Sequence, residues 1–504
     1  MRIETQLCFC GKLPRAKSFV TTALVLLVLV LSAGQRANAL PAFARKYGLR
    51  CSACHESWPM LNYFGQKFKD NGYQLMNDRD APIWQNPGYW PVTFRITPIW
   101  HRVSTGKQLI DTYGSVGGVS TVTATTQQRL ETSGFDLSGL DFHTGGTLEK
   151  NFSFYVLPSS DPTAAFHFET VMGRLDNLFG SPWLNIKFGR FELDNLLSEK
   201  RILTLTANGG IYQLYHFAPV GDGNLMGAIG ANQLGAELMG HSVNDRTRYS
   251  AALVSSSAGN VNLVTGSNAY TGFFTASQAF DTGKLGVDRI GGYLMIGQDA
   301  TYYRTVTSPS GTSLIPGSGI GNKSFHREGF VGLFYFGPHV DVQVVTQHGW
   351  DNVWLGQGYG NAINPSNGSP GSAVGLPTLP NNTPGTTLTV GSRAPTWNGV
   401  LLEPHYIYSP QLIFIGRYET IRMSQQADGP GYAGTNPLGV VGASPSNLGN
   451  TSTFTVGYRY NPFMTSRAGF AWHNEYNWLH VDGAAPDGTA LNKSELLIGF
   501  DFDF

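Results

Sequence analysis

The sequence predicts an all-β fold: a transmembrane antiparallel β-barrel of about 16 strands, with 18 as the alternative count, preceded by a small helical c-type haem domain. Three observations predict it. Most of the chain reads as segments of roughly 10 residues that alternate apolar and polar side chains between Gly, Asn, Asp, Pro and Ser clusters. The connections alternate short and long toward the C-terminus. One Cys-x-x-Cys-His motif stands ahead of the first strand. The composition agrees: 504 residues, 62 Gly, 12% aromatic and only 13% charged residues. Net charge is zero with no basic run, which excludes a nucleic-acid binder. The aromatic content excludes a disordered chain.

The chain opens with an address. Arg2, Lys12, Arg15 and Lys17 precede a nearly continuous apolar run over 19–31. That run is too short for a bilayer span and right for a signal-peptide core. Ala37-Asn38-Ala39 supplies the small-x-small cleavage site, so 1–39 is assigned as a signal peptide. Removing it takes five positive charges and one negative, leaving 29 positive against 33 negative. It also removes Cys8 and Cys10. Cys51 and Cys54 remain, and two cysteines three residues apart cannot staple a chain of this length.

Cys51-Ser52-Ala53-Cys54-His55 is the attachment sequence for haem c. Two thiols on one turn can reach both vinyl groups of one porphyrin, and the next residue, His55, falls under the iron as proximal ligand. A thioredoxin-like redox pair would want a βαβ context, which the sequence lacks. Half a zinc site would want a second Cys/His pair, and none follows within about 40 residues. One motif means one covalent haem. Pro59 is positioned to start a helix. Leu61, Phe64 and Phe68 make one apolar stripe, and Asn71-Gly72 reads as its C-cap. For the distal ligand Met76 has the reach. Met60 lies too close to His55 to cross to the opposite face, and His101 is the nearest other histidine. The haem domain is assigned to 40–90.

The barrel is assigned to 91–504. Val92-Phe94-Ile96 begins its first strand. Further strand cores fall at 135–148, 152–156, 166–168, 184–191, 330–336, 340–345, 412–418, 454–460 and 496–504. Phe336-Gly337-Pro338 and Ser409-Pro410 read as tight turns, whereas 299–323, 350–396 and 425–451 read as long loops. Short turns at one end and long loops at the other is the outer-membrane pattern. Trp90, Trp100, Trp350, Trp397 and Trp478 at strand ends fit interfacial girdles. The terminal alternating run ends in Phe504, resembling the recognition signal of outer-membrane barrels. Counting strands from both ends gives 16 if 192–224 is one external loop, and 18 if 201–207 and 211–219 form a hairpin. A soluble sandwich would use shorter strands. The scattered histidines, among them His143, His167, His326, His405 and His473, show no metal spacing along the chain and read as lumen-facing polar residues.

Residues 41–75 resemble the haem segment of the fused monohaem cytochrome–porins of the outer membrane, the ferrous-iron oxidase type. The resemblance is carried by Pro41, Phe43, Ala44 and Arg45, the Cys51–His55 motif, Pro59, Phe64-Gly65, Phe68-Lys69 and Gly72-Tyr73. It implies an outer-membrane location in a Gram-negative-type bacterium, with the haem domain within the barrel or at its periplasmic side. It implies one-electron transfer from an extracellular donor, Fe(II) foremost, to a periplasmic cytochrome or copper protein. The competing class is a porin for small solutes whose haem-bearing plug gates it.

Overall fold

A computed structural model describes residues 43, 46–47, 49–57, 60–75, 92–116, 119–160, 165–193, 214, 229–230, 232–255, 269–299, 303–308, 311–316, 323–351, 396–423, 450–464, 468–482 and 490–503. The signal segment 1–39, Met76, Trp90 and Phe504 lie outside the described residues.

The N-terminal part contains α1 (Cys51–Cys54), β1 (His55–Ser57), β2 (Met60–Leu61) and α2 (Tyr63–Asp70). The strands that follow are β3 (Val92–Val116), β4 (Val119–Glu149), β5 (Phe152–Ser160), β6 (Phe166–Leu175), β7 (Asn185–Glu192), β8 (Asn232–His241), β9 (Thr247–Ser255), β10 (Tyr270–Asp281) and β11 (Val287–Asp299). After a side hairpin of β12 (Tyr303–Ser308) and β13 (Gly311–Pro316) come β14 (Lys323–Tyr335), β15 (Val340–Asp351), β16 (Thr396–Ser409), β17 (Leu412–Met423), β18 (Thr451–Met464), β19 (Gly469–Val481) and β20 (Leu491–Asp503).

Sixteen of these strands, β3–β11 and β14–β20, close into one barrel in sequence order. β20 pairs antiparallel with β3, Leu497 opposite His101, so no edge is left open. β7 pairs directly with β8 from Asn185↔Met239 to Glu192↔Asn232. No strand can intervene there, so the 18-strand alternative is excluded. Residues 38–504 form one compact unit.

Alternation along each strand produces two opposite faces. On β16, Val400, Leu402, Tyr406 and Tyr408 are exposed while Leu401, Glu403 and His405 are buried. On β17, Phe414 and Tyr418 are exposed while Arg417 and Glu419 are buried. Charged residues inside and aromatic residues outside invert the order of a soluble protein and suit an outer wall that meets hydrocarbon. Among the described residues no helix is long and apolar enough to cross a membrane, which leaves any crossing to the strands. Aromatic rings stack on the outer wall near the tight-turn end: Phe463–Phe470 at 5.8 Å, Phe470–Phe500 at 5.1 Å and Trp472–Phe500 at 6.4 Å. Trp478 stacks on His480 toward the other end of β19. Phe470 and Trp478 are about 26 Å apart along the strand, on the order of 20 Å in height for a 40° tilt.

Tight turns gather at one end. Gly337 turns β14 into β15 with φ 89°, and Asn151 turns β4 into β5 with φ 69°. Both angles lie in the left-handed region that Gly and Asn tolerate. Three features depart from expectation. The stretch 299–323 contains the β12–β13 hairpin. β3 and β4 are 25 and 31 residues long, and pairing between Lys107↔Arg129 and Val116↔Val119 extends past the last β20 partner, Lys493↔Thr105. The two strands therefore run on as a ribbon beyond the rim. Trp397 is fully buried on the inner wall, with the Arg327 guanidinium 4.3 Å from its ring centroid, so it is not a girdle residue.

The lumen is furnished in two zones. Phe191, Leu193, Phe273, Met295, Phe325, Trp397 and Ile421 form an apolar cluster joined by Leu214 and Ile229 from the β7–β8 connection. Nearer the tight turns the wall is ionic. His405 sits between Asp341 and Glu403, each 2.7 Å away, and Arg417 pairs with the same Glu403. Arg459 pairs with Asp501, and Lys187 with Glu237.

Candidate functional site

Cys51 and Cys54 bound a single helical turn, α1, about 4.5 Å apart along its axis. His55 follows at once as the first residue of β1, half-buried, with its backbone opposite Leu61. Burial pushes the Cys54 thiol up to about 11, opposite to the lowered value that a thiol–disulfide exchanger needs.

Asn62 locks this turn to the next helix. Its side chain accepts from Gly65 N at 2.8 Å, capping α2, and donates to Ala53 O at 3.1 Å. Its backbone N donates to Cys54 O at 2.9 Å. The helix therefore begins at Tyr63, later than the Pro59 start expected from the sequence, and Met60-Leu61 belongs to β2 instead. Asn71 is the C-cap as expected, followed by Gly72 at φ 74°. Gly65 packs against the Cys54 carbonyl so closely that an added Cβ would lie 2.0 Å from that oxygen. Gly65→Ala is expected to force α1 and α2 apart. Limited trypsinolysis should cut the segment around α1 and α2 at least tenfold faster, with heat-modifiable migration of the barrel unchanged.

An aromatic cluster gathers around Phe68 of α2. Phe43 stacks on Tyr73 at 4.9 Å and meets Phe68 edge-on at 5.3 Å, and Tyr47 meets Phe68 at 5.6 Å. Tyr73 stacks in turn toward Tyr155 of β5 at 6.1 Å. Other anchors reach the inner wall at several points near the tight turns. Arg174 of β6 donates to Lys69 O at 2.9 Å and to Asp70 O, carbonyls at the C-terminal end of α2. Arg248 of β9 pairs with Asp70 at 2.8 Å. Tyr63 OH donates to Asn244 O at 2.8 Å. Met60 is buried against Ile413 and Ile415 of β17. The described residues between 43 and 75 thus meet side chains and carbonyls of β6, β9, β17 and the β8–β9 turn.

Met60 faces the barrel wall, with Gln343 Nε2 3.8 Å from its sulfur, so its role here is packing. His101 faces the lumen on β3, 3.5 Å from Glu495. The distal candidate Met76 lies outside the described residues. The donor set fits haem c: two cysteines on one turn and a histidine directly after. Sequence reasoning missed Asn62, Asp70, Arg174 and Arg248. Asn62 had a readable signal, a cap residue at the head of an apolar stripe. The arginines had none, because only the closed barrel brings them to α2.

No family model and no curated protein matches the sequence. Among solved structures, the loop L8 deletion mutant of OmpT, an outer membrane protein of Vibrio cholerae, is 10% identical, covers 82% of this chain and 100% of its own, and has a TM-score of 0.43. The outer membrane channel DcaP of Acinetobacter baumannii is 11% identical over 82% of this chain and 97% of its own, with a TM-score of 0.43. An anion-selective porin from Comamonas acidovorans is 10% identical over 82% and 99%, with a TM-score of 0.41. The architecture of this chain rests on its own ladder of strand pairs.

Proposed function

We propose that the protein is an outer-membrane electron conduit whose barrel holds one haem c on the 40–90 segment. The observation that supports the reading is the joining of a Cys-x-x-Cys-His turn to a segment that contacts barrel strands through Arg174, Arg248 and Met60. Cys51 and Cys54 would hold the porphyrin as thioethers, and His55 would be the protein's axial ligand. Bound there, the haem supplies a one-electron Fe(III)/Fe(II) centre, the requirement for passing electrons from an extracellular donor such as Fe(II) to a periplasmic cytochrome or copper protein. The chain's own contribution is placement. Hydrocarbon about 30 Å thick separates the two compartments, so a single redox group serves both only from inside the barrel. The exposed apolar wall supports the membrane setting, and tight turns facing the periplasm would follow the usual orientation.

A porin for small solutes with a redox plug is the second reading, favoured by the strand number, since 16-stranded barrels can enclose aqueous channels. The apolar lumen cluster and the segment in contact with β6, β9 and β17 count against a wide open pore. Liposomes containing the purified protein separate the two. The conduit reading expects haem reduction by Fe²⁺ and little swelling in isotonic sugar. Swelling at porin rates with no Fe²⁺ reactivity would replace it with the porin reading.

A further inference from the structure

The outer wall carries a group of potential metal ligands that chain spacing hides. Glu328 of β14 lies directly opposite His348 of β15, and His326 stands two residues along the same face, opposite Trp350. One ligand atom from each of His326, Glu328 and His348 falls within 4.8 Å of the others. We propose that these three residues form a site for a divalent late first-row transition cation, of the Zn²⁺, Cu²⁺ or Ni²⁺ class.

Expected to face the lumen, His326 instead lies on the outward face, because the buried inner positions of β14 are Phe325 and Arg327. The donor set has the right chemistry: two imidazoles and one carboxylate suit zinc, copper and nickel better than hard cations. Orientation is arranged as well. His348 Nδ1 is 2.9 Å from Asn398 Oδ1 on β16. An imidazole that donates Nδ1–H to that oxygen presents the Nε2 lone pair to a metal. The His326 ring stacks on Trp350, 5.4 Å between centroids and 15° between planes. His326 Nε2 is 4.0 Å from Glu328 Oε2. Ligand bonds near 2.0–2.1 Å need donor atoms about 3.4 Å apart, a closure within the rotamer range of the long Glu328 side chain.

The location admits a cation. His326 and Glu328 side chains are 36% and 49% exposed. One rung of the barrel runs Arg422, Asn398, His348, Glu328 and then Leu294 and Phe274, so the site stands where the outer wall changes from polar to apolar. β14 and β15 share a tight turn at their other end. A bound ion would therefore clip this hairpin at its open end. None of this depends on the haem.

The test uses the purified, chelator-treated full-length protein in detergent, titrated calorimetrically with Zn²⁺ and followed by Cu²⁺ electron paramagnetic resonance. Wild type is expected to bind at one site with imidazole nitrogen couplings. His326→Ala with His348→Ala should weaken that binding at least 100-fold, and Glu328→Gln about 10-fold. Zn²⁺ should raise the temperature of heat-modifiable unfolding for wild type, raise it less for Glu328→Gln, and leave the double-histidine variant unmoved. All variants should match wild type without metal, because the side chains face outward. His339→Ala, at the opposite end, and the Cys51→Ala/Cys54→Ala double variant should bind like wild type. Wild-type affinity and stoichiometry in the double-histidine variant, or no wild-type binding tighter than millimolar, would overturn the site.

Discussion

If haem c is attached as proposed, a chain carrying both Cys51→Ala and Cys54→Ala should show no haem-stained band while its barrel still folds. Beyond residue 39 the sequence has no other cysteine, so no other thiol can form a thioether. The barrel closes through β20 and β3 without help from α1, so heat-modifiable migration should be unchanged. Each single cysteine variant keeps one attachment point and should retain a weakened haem-stained band. His55→Ala should keep the covalent band and lose the spectrum of an axially ligated iron. A haem-stained band of wild-type intensity from the double-cysteine variant would refute haem attachment at this motif.

Arg174→Ala should release the N-terminal segment from the barrel strands. The guanidinium holds two carbonyls at the end of α2 and lies 2.6 Å from Asp176, nearly all of it buried. A hydrogen bond from a charged donor is typically worth about 1.5–3 kcal/mol. The two that Arg174 gives to Lys69 O and Asp70 O fall on docking of the segment. A cost of about 3 kcal/mol corresponds to a factor of roughly 100 in the docked fraction. Limited trypsinolysis of the folded protein should therefore cut that segment about two orders of magnitude faster, leaving the barrel intact. Arg174→Lys keeps the charge but not the fork and should fall between. Unchanged protection in Arg174→Ala would mean that the α2 anchor is dispensable.

The barrel was legible because period-two alternation is a direct consequence of strands with two unlike faces, and the strand cores around Val340, Leu412 and Phe454 all lie in barrel strands. Which face points inward was harder to read. A shift of one residue reverses every side chain, and that is why Trp397 and His326 fell on the wrong sides. The β3–β4 extension was invisible because 107–129 is rich in Thr, Gly and Gln and lacks an apolar face. Pro59 suggested an early helix start, yet pairing of β1 with β2 takes Met60 and Leu61, and Asn62 supplies the cap. The Cys-x-x-Cys-His turn is local chemistry and could be read directly. Its setting could not, because Asp70 and Arg248 are far apart in sequence and meet only after the barrel has closed.

The most direct test is haem absorbance in intact, anoxic cells given Fe²⁺ from outside, with and without Arg174→Ala. A haem held inside the lumen should be reduced by external Fe²⁺ in wild type, and more slowly once the segment is loosened. A wild-type haem that stays oxidised under Fe²⁺ but is reduced fully by dithionite would contradict electron entry from an extracellular iron donor.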